Sequence, residues 1–280
     1  MNTIGTEECL GLQESILRID FVLNFLFLSD IMLHLTICSK TVQSSCSLPW
    51  DFTKAIDNLI QTLDSCLITL DSCFANKSFD VLNDILFPNL CHSYKIMTTK
   101  EYKGCTLMDI PISTARTRSK LVDFESETYV NNTVETYKSY IRELKKNIQQ
   151  RFIINSTSYK VGKSLESLLD FSWLMHPTTK IQYCELSDIS VNSFKELLTP
   201  LHFVSTQNEQ DLKQLLFEYT ELCKYAAKSA NDLRGNCSFS MFNQNVFKQF
   251  VAINKEKCPL LFKCLCNVVA LPTSEAIVEA

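Results

Sequence analysis

Across 280 residues this chain carries five glycines, scattered singly, and seven prolines. Those two residue types supply the positive-φ and fixed-φ positions that tight turns require, so a hairpin-rich sandwich or barrel has few corners to be built from. Long helices need few corners. An apolar content of 46% is enough to cover a sizeable core, in one large domain or two ordinary ones. The expected fold class is all-α, a multi-helix bundle.

The apolar spacing agrees with that expectation. From Ser15 to Lys40, Ile16, Ile19, Val22, Leu23, Leu26, Ile31 and Leu35 recur at three- and four-residue steps, which predicts a helix that is nearly all core. Ser47-Leu48-Pro49-Trp50-Asp51 marks a new start, and Phe52, Ile56, Leu59, Leu63, Cys66, Leu70 and Phe74 make a single stripe. Ser78 caps a predicted short helix through Val81, Leu82, Ile85 and Leu86 that Pro88 stops. Residues 91–120 lose periodicity and read as a loop-rich connection. Glu127 to Phe152 is the strongest helix: Val130, Val134, Tyr137, Ile141, Leu144 and Ile148 form a seam that asks for a helical partner, within the chain or on another. Helices follow over Lys163 to Trp173, Val191 to Leu198, Glu209 to Asp232, Phe242 to Val251 and Pro259 to Ala270. A short extended piece is expected between Thr178 and Ser190, so the chain divides into a helical body, 1–177, and a C-terminal part, 178–280.

A formal charge of −4 excludes a general nucleic-acid coat, since phosphate binding needs concentrated Lys and Arg. The longest apolar run, Phe21 to Leu28, is short for a membrane span, and the first residues carry Glu7 and Glu8 without a basic leader. No membrane association is expected, and the location expected is nuclear or cytoplasmic. The cysteine count is thirteen, an odd number, which suits reduced thiols, most of them small core residues such as Cys66, Cys223 and Cys264. Neither Cys264 and Cys266 nor the dispersed His34, His92, His176 and His202 have the spacing of a metal or catalytic site, and no phosphate-cradling glycine loop exists. No cofactor and no small-molecule substrate are expected.

Three segments carry a family resemblance. Phe25-Leu26-Phe27-Leu28-Ser29-Asp30-Ile31, continuing to Ser39-Lys40-Thr41-Val42-Gln43, resembles the opening helix of the all-helical insertion domain of hAT transposases. Tyr140-Ile141-Arg142-Glu143-Leu144, with Asn147-Ile148-Gln149-Gln150-Arg151-Phe152, resembles the long insertion-domain helix that ends in Arg-Phe. Leu271-Pro272-Thr273-Ser274-Glu275-Ala276-Ile277-Val278-Glu279-Ala280, after the helix opened by Cys258-Pro259-Leu260-Leu261, resembles the family signature Leu-Pro-x-Ser-x-Ala-x-x-Glu-Arg with alanine in the arginine's place.

The resemblance implies a hAT transposase-derived chain related to a ribonuclease-H-like enzyme. In that family two aspartates and a glutamate hold two metal ions for attack on phosphate, and the aspartates lie upstream of the insertion. Only Glu279 matches the third acid by position, so the expectation is a catalytically inactive protein that acts by association. The alternatives are a piece of an active two-metal strand-transfer enzyme, or a domesticated nuclear regulator of the SUMO-ligase type. The region that pairs protomers in the family maps to Leu260, Leu261, Leu265, Val268 and Val269, where the other reading is burial against the chain's own helices. The expected partner is the chain itself or a related hAT-derived protein. Arg116, Arg118, Lys145, Lys146 and Arg151 are the candidates for a weak contact with a DNA backbone.

Overall fold

The computed structural model describes residues 16–43, 48–108, 126–175, 209–233 and 239–270, and these are overwhelmingly helical. The chain divides into two compact units, residues 1–38 with 57–150 and residues 39–56 with 151–280. The division expected at 177/178, the extended piece expected over Thr178 to Ser190 and the helix expected over Val191 to Leu198 lie outside the described residues.

The first unit is made from α1 (Ile19–Val42) and α2 (Pro49–Asn76), each of which also contributes residues to the second, then a 3₁₀ turn at Leu90–His92, α3 (Ser93–Thr99), strands β1 (Glu101–Tyr102) and β2 (Cys105–Thr106), and α4 (Glu127–Ile148). The stripe foreseen on α2 is buried at Leu63, Cys66 and Leu70. The seam foreseen on α4 is buried at Val130, Val134, Tyr137, Ile141 and Ile148, so this unit itself supplies the helical partner. The Tyr137 ring lies 4.0 Å from Phe27 of α1 and parallel to it. Ser126 caps α4 by accepting from the Tyr129 amide at 3.3 Å. After Ile148 the helix widens into a π-type turn, Gln149–Ile154, which holds the Arg151-Phe152 pair.

Two local expectations are corrected. The helix predicted after Ser78 is a run of turns, because the Ser78 hydroxyl accepts from the Asp80 amide and the Asn83 side chain accepts from the Ile85 amide, bonds that compete with helix formation. Only part of its apolar set is used: Leu82 is buried, while Val81 and Ile85 are exposed. Residues 91–108, expected to be loop, form α3 and a hairpin. Its two turn residues, Lys103 and Gly104, both have positive φ (47° and 80°), as a two-residue turn of this hand requires. Met108 then bridges back to the start of α1 through Leu17 and Ile19.

The second unit contains α5 (Thr157–Leu169), a 3₁₀ turn at Ser172–Met175, α6 (Glu209–Leu233), α7 (Phe239–Asn254) and α8 (Pro259–Ala270), together with the start of α2. One core joins Trp50, Leu165, Phe171, Tyr219, Phe242, Phe247, Leu261 and Leu265, with Ala226 and Ala230 keeping the α6 surface low where neighbours approach. Burial of each large apolar side chain here contributes about 1.5–3 kcal/mol. Gly162 is needed for close approach: a Cβ there would sit 2.5 Å from the Thr53 methyl and 2.8 Å from the Pro49 carbonyl oxygen. The turn after α5 is fixed by Asp170, which pairs with Lys54 and accepts from the Ser172 amide and the Asn243 side chain, while the Phe171 amide donates to Asn243.

Candidate association surface

Helix α1 is apolar on two sides. Its inner side buries Ile19, Val22, Leu23, Leu26, Phe27 and Ile31, and it carries two polar anchors. Asp30, fully buried, accepts from the Leu90 amide at 2.9 Å, the Asn89 amide at 3.0 Å and the Asn89 side chain at 2.6 Å. His34 bonds the Leu86 carbonyl oxygen at 2.8 Å. These bonds satisfy polar groups that burial would otherwise penalise, and they hold this side of the helix against the chain's own turns.

The outer side repeats the pattern. Phe21, Phe25 (54% exposed), Leu28 and Met32 (55%) face outward along one line among uncharged neighbours, while Leu33 and Ile37 (56%) are exposed nearer the helix end on the side that carries Asp30. Between Phe21 and Ser39 the only Asp, Glu, Lys or Arg is Asp30, and it points inward. Two expectations change here. The helix is half core rather than nearly all core, because the series from Phe21 to Met32 interleaves with the buried series and the described residues cover only one of them. It is also long and apolar enough, by length and composition, to cross a bilayer, since the helix continues well past the run ending at Leu28. The signal was legible as a second three- and four-residue series alongside the first.

A shallower surface lies on the second unit, between α6 and α7. A groove of about 560 Å³ has an apolar floor of Phe217, Tyr225, Phe250 and Ile253 and a rim bearing Lys224, Lys228 and Lys257. Lys224 is already paired with Glu221, and the Tyr225 hydroxyl donates to Gln249. Cys258 lines one end, but burial pushes its thiol above the usual range, the opposite of what a nucleophile needs.

The expected association residues of α8 are placed differently. Leu261 and Leu265 are each 2% exposed in the core of the second unit, Leu260 is half-buried against it, and the side chains of Val268 and Val269 lie outside the described residues. The start of α8 is held by the buried Glu218, which accepts from the Leu261 amide at 2.7 Å. Another chain could reach Leu261 or Leu265 only after α8 left α6. Glu279, Arg116 and Arg118 lie outside the described residues. Lys145 is paired with Asp64 at 2.5 Å and Lys146 with Glu143 at 3.6 Å, while Arg151 lies over the Phe152 ring. Lys138 and Arg142 on the same helix are likewise taken, by Asp71 and Glu135. A phosphate at Lys145 would have to displace the Asp64 carboxylate.

Among the described residues no group of three or more His, Cys, Asp or Glu side chains is arranged to hold a metal ion, and the described cysteines are free thiols. Comparison of the chain with protein-family models, with curated proteins and with solved structures gives no match.

Proposed function

We propose that this chain works by protein association, as a helical module of hAT-transposase descent that does no chemistry of its own and acts in the nucleus. The descent rests on the sequence resemblance. The association reading is carried by one observation, the uncharged apolar outer side of α1, whose inner side is already anchored to protein by Asp30 and His34. A helix that is apolar all round requires a cover on both sides, and isolated patches of this kind on soluble surfaces mark places where another body docks. The surface used differs from the one the family resemblance implies, since Leu261 and Leu265 serve the chain's own core.

The test is photochemical capture in the cells that make the protein. With Phe25 replaced by p-benzoylphenylalanine, an aromatic that keeps the shape of the site, irradiation is expected to join the chain to another protein. Recovery of only the 32.1 kDa species, at a labelling level that captures a control partner, refutes the association reading.

A further inference from the structure

We infer that the groove between α6 and α7 docks an acidic, amphipathic helix of another protein. It lies in the second unit, goes beyond the association reading drawn from α1, and stands or falls without it. Phe217, Glu221, Lys224 and Lys228 follow one another along α6 at steps of four, three and four, so one wall is a single side of that helix. Phe250, Ile253 and Asn254, with Lys257 in the turn after α7, make the other wall. Tyr225 ties the two together: its hydroxyl donates to Gln249 at 3.0 Å and its ring meets Phe250 edge-on at 5.7 Å.

The first support is charge beside apolar surface. Phe217 and Ile253 are 62% and 65% exposed although both are large and apolar. Around them the lining holds three lysines against one acid. Lys224 pairs with that acid, Glu221, at 2.8 Å, but Lys228 and Lys257 have no ion-pair partner among the described residues, and the neighbouring acids Asp232 and Glu256 pair with neither. The second support is spacing. Lys257 stands four residues before Leu261, whose amide reaches Glu218 at 2.7 Å, while Lys228 lies ten residues beyond Glu218 on α6. The two lysines are therefore set on the order of 10–15 Å apart along the groove. A ligand with one carboxylate meets only one of them. A helix with acids two or three turns apart, and apolar side chains at three- and four-residue steps between, meets both while covering Phe217 and Ile253. The third support is size: from Phe217 to Lys228 the groove runs about 16 Å, three turns of such a helix, and its volume of about 560 Å³ suits side chains from one helix face. A nucleic-acid strand is the weaker occupant, because stacking needs successive open rings, and Tyr225 is engaged by Phe250 and Gln249, which leaves Phe217 one turn from the Glu221 carboxylate.

Fluorescence polarisation with the purified full chain tests the inference. The probe is the labelled peptide Asp-Glu-Leu-Glu-Ala-Phe-Leu-Glu-Asp-Leu-Ala-Glu-Phe-Leu, compared with a counterpart carrying lysine at every acid and with a twelve-nucleotide oligothymidylate. The acidic peptide should bind saturably and at least about tenfold more tightly than the lysine peptide. Lys228 and Lys257 are exposed, so Lys228→Glu and Lys257→Glu should leave the helical circular dichroism unchanged. Each should weaken the acidic peptide about three- to tenfold, and the double variant should prefer the lysine peptide, a reversal that damage to the fold would not produce. Phe217→Ser should weaken the acidic peptide about tenfold. Acidic-peptide binding indifferent to both lysine changes overturns the inference, as does equal binding of the two peptides or no saturation below about 500 µM. Oligothymidylate binding that is tighter than the peptide's and lost in Phe217→Ser assigns the groove to nucleic acid and overturns it as well. Photochemical capture at Phe25 reads α1 separately, so either reading can fail alone.

Discussion

Replacing Asp30 by alanine should be the most damaging single change in the first unit. The carboxylate sits in the middle of an otherwise uncharged helix, fully buried, with donors from the Leu90 amide, the Asn89 amide and the Asn89 side chain at 2.6–3.0 Å. Hydrogen bonds to a charged acceptor contribute about 1.5–3 kcal/mol each, and donors left buried without a partner cost about 1–3 kcal/mol, so with partial relaxation the loss should be about 3–6 kcal/mol. Asn89 and Leu90 open the 3₁₀ turn that precedes α3, so the damage should spread there. Asp30→Asn keeps one acceptor but turns an amide toward the remaining donors, and should lose about half as much. The assay is urea unfolding followed by circular dichroism, because Trp50 and Trp173 both belong to the second unit and would report on that unit instead. Hydrogen exchange at the Asn89 and Leu90 amides gives the local reading, faster in the variant. A loss below about 1 kcal/mol, with both amides still protected, would refute the claim that Asp30 anchors the inner side of α1.

Further outcomes follow from the second unit and the thiols. Gly162→Ala should cost about 1–3 kcal/mol in chemical denaturation, because its Cβ meets the Pro49 backbone, which cannot swing aside as a side chain does. Burial tends to raise the Asp170 carboxyl, but the bonds from Lys54, Ser172 and Asn243 outweigh it and hold it below its ordinary value. Its contribution to stability is therefore complete above the ordinary carboxylate range and is lost as pH falls through the lowered value. Asp170→Asn should flatten that acid limb relative to wild type. The half-buried Asp51, whose carboxyl is raised chiefly by burial, carries the opposite sign, and because the Asp170 charge adds to that rise the variant relieves part of it. In alkylation by iodoacetamide at neutral pH, the exposed Cys105 and Cys266 should react first among the described cysteines, while Cys66 and Cys73, pushed up to about 12 by burial, should stay unmodified until the chain unfolds.

The fold was readable in the sequence where one period dominated. α2, α4, α6, α7 and α8 lie within a few residues of their expected spans because a single apolar stripe and clear start residues specify each of them, and Pro259–Ala270 coincides with its expectation. The reading failed where side chains compete with the backbone, at Ser78 and Asn83, and where a two-residue turn built a hairpin from a segment with little periodicity. It failed differently on α1. There the buried and exposed apolar series share one helix, and spacing alone does not reveal which side the chain covers. The buried role of Leu261 and Leu265 was one of two readings open in the sequence, and only the packing of α8 on α6 chooses between them. Ion pairing of Lys145 with Asp64 of α2 is likewise a tertiary fact that charge counting along α4 does not contain, whereas the Lys146–Glu143 pair lies three residues apart on one helix.

Methionine oxidation by dilute peroxide reads the α1 surface directly. Met32, Met108 and Met241 are exposed in the single chain, while Met97 and Met175 are buried. In the free chain the three exposed methionines should oxidise at similar rates and the buried two slowly. When the chain is bound to the partner captured through Phe25, Met32 alone should become protected, with Met108 and Met241 unchanged. Met32 oxidising as fast as Met241 in that complex, or no capture at Phe25, would contradict the account.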